Sequence, residues 1–345
     1  MNFKSLKDSL SFDDVLLVPR YSDVESRSQV DVTSALDENL SFSLPVISSP
    51  MDTITEHSMA LAMHKAGGFG IIHRYNTIDE QADIIRELRL ANDEMPISVA
   101  IGATGDYLNR AETATKLGTK ILCIDTAHGH HTAMERAIKT LKDNYGNSIH
   151  IMAGNVATLE GFNALSEWGA DSIRVGIGGG SICSTRLVTG HGMPTLESIM
   201  ECARTGHSTK IIADGGIKTS GDIVKALAAG ADFVMIGSML AGTEETPGET
   251  FHSNRGKRYK VYRGMASAEA QSDWRGKSST PEGVSTTVTY KGEVAPILDN
   301  LLGGIRSGLS YSGVRTLKDL QIKAKFVRQT GAGQFESSTH ILRKR

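Results

Sequence analysis

Short apolar runs rich in β-branched residues recur eight times along this chain of 345 residues. They cover residues 45–49, 70–73, 97–101, 121–125, 149–154, 172–176, 210–213 and 232–236. Segments of helical periodicity alternate with them, at residues 80–90, 108–117, 133–141, 159–168, 196–202 and 221–229. Eight such strand–helix units predict an α/β fold, the (β/α)8 TIM barrel, which typically takes about 250 residues.

An open, doubly wound sheet is the rival arrangement for alternating strands and helices. That fold concentrates its ligand where the strand order reverses, whereas a barrel builds its site from the loops after all eight strands. Glycine, aspartate or asparagine follows nearly all of the predicted strands. This distribution favours the barrel, and we expect residues 1–345 to form a single domain.

The connection after the eighth predicted strand is unusually long. Residues 241–293 separate that strand from a helix predicted at 295–307, and loops of such length are usually functional. Residues 255–262 predict a hairpin, and the polar stretch 272–283 predicts a mobile segment over the barrel mouth. The whole connection, residues 241–293, is the flap. The tail, residues 323–345, is polar; its residues 330–333 are not expected to pack as a helix and are either frayed or ordered by a neighbouring subunit.

The charge balance argues against broad electrostatic binding. The formal net charge is −2, so no nucleic acid and no anionic membrane is expected as a partner. Residues 1–19 contain no signal-peptide pattern and no stretch is long enough to span a bilayer, which predicts a cytoplasmic protein. The 3 cysteines are too few for a disulfide framework. A small-molecule ligand fits this composition best.

Glycines end three of the predicted strands. Residues 214–216 (Asp-Gly-Gly) and 237–238 (Gly-Ser) let backbone amides approach a phosphate closely, which indicates a nucleotide substrate. After the sixth strand, a glycine loop leads to Cys183, where amides and any bound cation favour a nucleophilic thiolate. Cys123, in a strand, and Cys202, in a helix, predict inert buried thiols. Thr185 either caps a turn or carries a proton next to a cysteine adduct.

Five segments in order resemble the IMP dehydrogenase/GMP reductase family. They are residues 49–53, 178–186, 214–216, 237–238 and 262–267. The resemblance covers almost the whole chain and implies a TIM barrel, usually a homotetramer. In this family a cysteine attacks C2 of a purine nucleotide to form a thioimidate, and a nicotinamide cofactor exchanges hydride with that carbon. By carry-over, Cys183 is the nucleophile.

The resemblance also implies the substrate contacts. Asp214 would accept hydrogen bonds from the ribose hydroxyls, although an aspartate before two glycines can also simply form a turn. The phosphate would be held by Ser181, Gly215, Gly216, Gly237, Ser238 and Tyr262. The purine would be lined by Met265, Ala266 and Ser267, with Gly264 and Gly283 beside them.

Four features bear on which of the two reactions this chain catalyses. Residues 73–97 leave no room for the regulatory CBS pair of most dehydrogenases, and residues 273–283 of the flap lack the Arg-Tyr pair with which they activate water. Residues 25–28 resemble the reductases' Ser-Arg-Ser segment, and Glu282 resembles their flap glutamate. We therefore expect an NADPH-dependent GMP reductase that releases IMP and ammonia, with Cys183, Thr185 and Glu282 as catalytic residues.

Two alternatives stay open: an IMP dehydrogenase without CBS domains, which would make XMP from IMP, NAD and water, and a purine-nucleotide-binding regulator without turnover. Residues 49–51, 128–129 and 326–338 look more like dehydrogenases. Gly179 replaces a proline expected in both enzymes, and Glu282 can also be a plain solvated carboxylate.

The cofactor contacts implied by the resemblance are Ser26, Arg27, Arg74, Asp125, Thr126, Ala127, Ile177 and Gly178. Among them, Arg27 would pair with the 2′-phosphate of NADPH. In the family, carbonyls near Gly178, Gly180 and Cys183 can hold potassium, helped by a neighbour's tail resembling residues 336–338. Arg186 could stabilise that loop instead, and both interpretations stay open.

Overall fold

A computed structural model describes residues 8–337, apart from the side chain of Arg275. Its strands are β1 (Val15–Leu17), β2 (Ser34–Ala35), β3 (Ser41–Phe42), β4 (Val46–Ser48), β5 (Phe69–Ile72), β6 (Ser98–Ile101), β7 (Ile121–Asp125), β8 (His150–Val156), β9 (Ser172–Val175), β10 (Lys210–Asp214), β11 (Phe233–Ile236), β12 (Phe251–His252), β13 (Arg258–Arg263), β14 (Ser285–Thr289) and β15 (Phe326–Arg328).

The helices alternate with the strands through most of the chain. They are α1 (His57–Lys65), α2 (Ile78–Ala91), α3 (Tyr107–Lys116), α4 (Thr132–Tyr145), α5 (Leu159–Trp168), α6 (Thr185–Thr189), α7 (Thr195–Cys202), α8 (Ser220–Ala228), α9 (Ala268–Arg275), α10 (Ala295–Tyr311), α11 (Leu317–Lys323) and α12 (Gly331–Glu336). Over the described residues, none of these helices has the length and apolar character needed to cross a membrane.

Strands β4 to β11 close into an eight-stranded parallel barrel. The closing pair is β11 and β4, in which Val234 lies opposite Val46. These eight are the strands predicted from the sequence, and the predicted (β/α)8 TIM barrel is confirmed. All four residues of β5, β6, β9 and β11 are buried, as expected for parallel strands that are covered by helices outside and by packed side chains inside.

The hairpin formed by β2 and β3 closes one end of the barrel. Its Phe42 ring lies 4.4 Å from the ring of Phe69 and 5.9 Å from that of Phe233, measured between centroids. Phe69 and Phe233 are the first residues of their strands, so this apolar plug covers the N-terminal ends. The C-terminal ends of the strands are the open mouth, where barrels of this kind carry their sites.

The helix starts follow local capping signals. At α2, the Thr77 hydroxyl accepts a hydrogen bond from the Glu80 amide at 3.2 Å, and the Glu80 carboxylate accepts one from the Thr77 amide at 2.7 Å. This reciprocal pair is a capping box. All of the predicted helices form. Helix α1 is also present, although it was not predicted. Its buried residues Met59, Ala60 and Met63 lie on one face of the helix, a short pattern that the prediction passed over.

The long connection after β11 is ordered as a small sheet and a helix. β12, β13 and β14 form an antiparallel sheet, in which β12 pairs with β13 around a turn at residues 253–257. The predicted hairpin, residues 255–262, is thus part of a wider three-stranded unit. Helix α9 was not predicted, and it takes in residues 272–275 of the stretch predicted to be mobile.

The tail differs from its prediction. Residues 330–333 were expected not to pack as a helix, yet α12 begins there. The Thr330 hydroxyl accepts a hydrogen bond from the Gly333 amide at 3.2 Å, and the Gln334 amide donates to the Thr330 carbonyl at 2.9 Å. An N-terminal threonine cap of this kind offsets the weak helix propensity of two glycines. Residues 338–345 of the tail, including Ser338, lie outside the described residues.

Candidate active site

A cavity of about 370 Å³ opens at the C-terminal mouth of the barrel. Loops after five strands and two segments of the flap form its wall, so residues far apart in sequence meet there, as barrel topology requires. The predicted site residues that line it are Arg74, Asp125, Thr126, Ala127, Ile177, Gly178, Gly180, Cys183, Thr185, Asp214, Gly215, Tyr262, Gly264, Met265, Ala266, Glu282 and Gly283.

The other predicted residues do not line this cavity. Ser181, Gly216, Gly237, Ser238 and Ser267 lie next to lining residues, and Arg186 packs behind the glycine loop. Ser26 and Arg27 lie apart from it. Arg27 begins the short 3-10 turn Arg27–Gln29, Ser26 caps this turn, and the turn packs against α10.

Cys183 is the exposed thiol of this chain, and it lies on the cavity wall. Its Sγ donates to the Thr185 hydroxyl oxygen across 3.1 Å, and its amide donates to the Gly180 carbonyl, also across 3.1 Å. The two other cysteines are buried as predicted. Burial raises the pKa of Cys123 to about 11 and that of Cys202 to about 12, so both stay protonated at neutral pH and only Cys183 is available as a nucleophile.

Glu282 is held over the cysteine loop by its own main chain. The Glu282 carbonyl accepts a hydrogen bond from the Ser184 amide at 2.9 Å, and the Val284 amide donates to the Ile182 carbonyl at 3.0 Å. On its other side, the Glu282 amide donates to the Ala266 carbonyl at 3.0 Å. The flap and the cysteine loop are therefore joined as short neighbouring strands, which brings the Glu282 side chain to the same cavity as Cys183 and Thr185.

Two contacts fasten the flap to the barrel. Arg263 pairs with Asp52 of the loop after β4 at 2.6 Å and with Asp273 of α9 at 2.5 Å. The ring of Trp274, also on α9, lies 5.8 Å from the ring of Tyr75, which lines the cavity. These contacts place α9 at the rim, and the sequence patterns did not indicate either of them.

Arg174 is a site residue that the sequence analysis missed. It is only 7% exposed and reaches two carboxylates that were predicted to bind ligands: Asp125 Oδ1 at 2.6 Å and Asp214 Oδ2 at 2.9 Å. Burial opposes ionisation of Asp125, but the guanidinium groups of Arg174 and Arg74 outweigh it and hold its pKa below the ordinary range. An arginine inside an otherwise apolar predicted strand is the signal that could have identified it.

Asn155 is the second missed residue, and it acts on Asp214. Its Nδ2 donates to Asp214 Oδ2 at 2.8 Å and to the Gly176 carbonyl at 2.8 Å. Arg174 donates to the same Oδ2. All hydrogen bonds that the described residues make to the Asp214 carboxylate thus fall on Oδ2. The other oxygen, Oδ1, is left for a ligand, which suits an acceptor of ribose hydroxyls.

The segments predicted to hold a phosphate converge beside Tyr262. Its hydroxyl lies 3.4 Å from the Ser181 hydroxyl and close to Ser238. A Cβ on Gly237 would lie 3.4 Å from the Tyr262 hydroxyl, so the backbone approaches there closely. Burial raises the pKa of Tyr262, which keeps the phenol protonated as a donor. Gly215 adopts φ +89°, in the left-handed region that favours glycine.

The wall of the cavity that was predicted to bind the cofactor carries a guanidinium. Arg74 Nη2 donates to the Asp125 carbonyl at 3.1 Å, and its Nε lies 3.4 Å from Asp125 Oδ2 without making a full hydrogen bond. Thr126 and Ala127 continue this wall. A buried guanidinium N–H that retains donor capacity fits the phosphate groups of a nicotinamide dinucleotide.

The predicted cation loop is packed against Arg186. A Cβ on Gly178 would lie 2.6 Å from Arg186 Cγ, and Arg186 Nη2 donates to the Met193 carbonyl at 2.6 Å. The residues present thus fit potassium poorly, because a guanidinium already supplies positive charge beside Gly178. Within residues 8–337, no group of three or more histidine, cysteine, aspartate or glutamate side chains could hold a metal ion.

Comparison with known proteins gives concordant matches over almost the entire chain. The model of the IMP dehydrogenase / GMP reductase domain matches residues 9–340. An inosine-5′-monophosphate dehydrogenase of Nitrosopumilus maritimus is 35% identical over 470 positions, covering 97% of this chain and 98% of the relative. A GMP reductase of Leishmania major is 32% identical over 484 positions, covering 99% and 98%.

A solved structure matches equally well. The crystal structure of a cysteine-to-alanine variant of GMP reductase from Trypanosoma brucei, in complex with guanosine 5′-monophosphate, superposes with a TM-score of 0.90 at 31% identity, covering 97% of this chain and 98% of that chain. The alignments with the dehydrogenase and with the Leishmania reductase are both longer than this chain, so both relatives carry additional residues. Chain length therefore does not distinguish a dehydrogenase from a reductase in this comparison.

Proposed function

This chain belongs to the IMP dehydrogenase/GMP reductase family, and on that premise we propose that it is a GMP reductase, which converts GMP to IMP and ammonia with NADPH. Members of the family are oxidoreductases that use a nicotinamide cofactor. The finer assignment depends on the flap and on its relation to Cys183.

The observation that carries the proposal is the contact between the flap and the cysteine loop. Glu282 is fixed by main-chain hydrogen bonds to Ser184 and Ala266, so its carboxylate shares a cavity with Cys183 and Thr185. Residues 273–283 contain no tyrosine, so this stretch of the flap cannot supply an Arg-Tyr pair to activate water. Proton transfer to a leaving amine is therefore better supported than hydrolysis.

In the proposed reaction, Cys183 Sγ bonds to C2 of GMP. Thr185 and Glu282 deliver a proton to the 2-amino nitrogen, the C2–N bond breaks, and ammonia leaves a thioimidate on Cys183. NADPH, when bound along Arg74, Asp125 and Thr126, supplies the hydride that C2 gains. The C2–Sγ bond then breaks, and Cys183 returns as a thiolate while IMP is released.

The surrounding residues hold the reactants. Asp214, oriented by Arg174 and Asn155, accepts hydrogen bonds from the ribose through Oδ1. Met265 and Ala266 lie against the purine. Ser26 and Arg27 lie apart from the cavity of their own chain, so the proposed cofactor contact of these two residues requires a neighbouring copy, as in the proposed homotetramer. We also propose that the protein is located in the cytoplasm.

A direct assay tests this function. Purified protein is incubated with GMP and NADPH, and both loss of NADPH absorbance and release of ammonia are measured. Equal amounts of NADP⁺, IMP and ammonia are expected. The same protein is incubated with IMP and NAD as the control reaction. Formation of XMP and NADH at a comparable rate would overturn the reductase assignment.

The dehydrogenase is the second candidate, and one observation favours it. Several of the similar curated proteins carry that name, including those of Nitrosopumilus maritimus and Aquifex aeolicus. Residues 49–51 and 128–129 also look more like that enzyme. The control reaction with IMP and NAD decides between the two candidates, because only the dehydrogenase consumes water and yields XMP.

A further inference from the structure

Lys291 reaches the turn that follows the last barrel strand. Its Nζ donates to the Ser238 carbonyl at 3.1 Å and to the Met239 carbonyl at 3.0 Å. Ser238 and Met239 begin a helical turn, because the Gly237 carbonyl accepts hydrogen bonds from the amides of Leu240 and Ala241. The ammonium group therefore lies at the carbonyl side of the turn, and the amides at the start of the turn have no partner within it.

The start of this turn is next to the cavity. A Cβ on Gly237 would lie 2.8 Å from Ser49 Oγ, 3.2 Å from Met51 Sδ and 3.4 Å from the Tyr262 hydroxyl. Ser49, Met51 and Tyr262 all line the cavity. A phosphate bound beside Tyr262 would therefore be within reach of the Gly237–Ser238 backbone, with Lys291 on the carbonyl side of the next two peptide groups of the turn.

The predicted phosphate ligands are all uncharged, whereas a phosphate monoester carries roughly −1.5 to −2 charges at neutral pH. Two other cations near the mouth are fully paired: Arg263 with Asp52 and Asp273, and Arg174 with Asp125 and Asp214. Arg74 lies on the Asp125 wall of the cavity. No carboxylate of residues 8–337 forms an ion pair with Lys291. Among these residues its ammonium group thus has carbonyl acceptors but no ion-pair partner.

Lys291 is also part of the backbone link between the flap and this turn. Its amide donates to the Gly242 carbonyl at 2.8 Å, and Gly292 pairs with Thr243 as a short parallel bridge. The side chain and the main chain of Lys291 therefore both contact residues 238–242. This double contact holds the ammonium group in position without a carboxylate partner.

We propose that Lys291 is a positioning residue for the phosphate of the nucleotide, and so helps the enzyme to select nucleoside monophosphates over nucleosides. This inference rests on the proposed function, because it assumes a nucleotide phosphate beside Gly237 and Ser238. The ammonium group fixes the Ser238 and Met239 carbonyls, which holds the turn whose first amides belong to Gly237 and Ser238. It also polarises the following peptide group, whose Leu240 amide closes the turn on the Gly237 carbonyl. Its charge also attracts the phosphate directly.

The test compares binding of GMP and of guanosine, measured by calorimetry, in the unaltered protein and in Lys291→Met. We expect the Kd for GMP to rise by about 10-fold, as for loss of one charge-assisted interaction. The Kd for guanosine should not change, and Lys291→Arg should restore most of the GMP affinity. The matched control is Lys257→Met, an exposed lysine on the far turn of the β12–β13 hairpin, which should bind both ligands as the unaltered protein does.

The outcomes separate this inference from the proposed function. Unchanged GMP affinity in Lys291→Met, or an equal loss for GMP and guanosine, would overturn the role of Lys291, while turnover of GMP with NADPH decides the reaction independently. If the unaltered protein does not bind GMP, both fail together. Binding that weakens less steeply with added salt in Lys291→Met than in the unaltered protein would support the charge-based role.

Discussion

Arg174 Nη1 donates to Asp125 Oδ1 across 2.6 Å, inside the mouth of the barrel. Arg174 lies on β9 and Asp125 ends β7, so this ion pair crosses the intervening strand β8. Because the same guanidinium also binds Asp214, it connects the carboxylate proposed to face the cofactor with the carboxylate proposed to face the ribose. The two halves of the proposed site are thus fastened to one buried cation.

Replacing Arg174 with methionine should strongly destabilise the protein. Two carboxylates would be left without their shared cation in a buried site, and breaking a buried ion pair in this way costs about 3–5 kcal/mol. The free energy of unfolding in urea measures this effect. The control is Arg255→Met at an exposed turn, which should change stability by no more than about 0.5 kcal/mol. Equal stability of the two variants would contradict the role assigned to Arg174.

The stabilisation by Asp125 should depend on pH. Since the folded protein holds the pKa of Asp125 below its ordinary value of 3.8, the ionised form stabilises the fold above that pH and the contribution is lost as the pH falls through the folded value. We expect the stability difference between the unaltered protein and Asp125→Asn to be largest near neutral pH and to shrink below pH 3.8. Urea unfolding at a series of pH values measures it; a constant difference would argue against this ion pair.

Alkylation should distinguish the three cysteines. Iodoacetamide should modify Cys183 in the folded protein and reach Cys123 and Cys202 only after unfolding, because burial raises the pKa of both. Mass spectrometry of the digested protein identifies the modified residue. Cys183→Ala should bind GMP but lose turnover, whereas Cys202→Ala should keep turnover. Rapid labelling of Cys123 in the folded protein would contradict the buried position.

Thr185→Ala and Glu282→Gln should slow the release of ammonia more than they weaken GMP binding. A group that transfers a proton acts on the rate, and its loss typically slows the reaction by about 100- to 10,000-fold. Single-turnover measurement of ammonia and calorimetry with GMP separate the two effects. Glu249→Gln, at an exposed position of the flap, is the matched control. Equal losses in rate and affinity for Glu282→Gln would show that it binds rather than transfers a proton.

Potassium should have little effect on the rate, because the Arg186 side chain packs beside Gly178 and donates to the Met193 carbonyl. We expect equal turnover in potassium chloride and sodium chloride at the same ionic strength. In Arg186→Met, the loop loses that charge and the rate should fall in both salts. A rate that requires potassium in the unaltered protein would instead favour a bound cation at Gly178, Gly180 and Cys183.

Some features of the flap and of the site could not be predicted because they depend on contacts between distant residues. Asp214 was predicted, yet its partners Asn155 and Arg174 lie 59 and 40 residues away along the chain. Helix α9 was missed because it begins after a single serine cap and is placed by Trp274 against Tyr75 and by Arg263 against Asp273. Such contacts leave no periodic pattern in the sequence.

The amino-acid sequence alone determined the barrel and the position of Cys183 within its mouth. Both follow from local patterns: β-branched runs form strands, periodic apolar residues form helices, and glycines end the strands where a loop must turn closely. Tertiary structure decided which charges neutralise each other, where the flap is fastened and which side chains share the cavity. The reason is that closing eight strands into a ring brings together loops that are far apart in sequence, such as those of Asp52 and Arg263, which are separated by 211 positions. No local preference encodes this proximity.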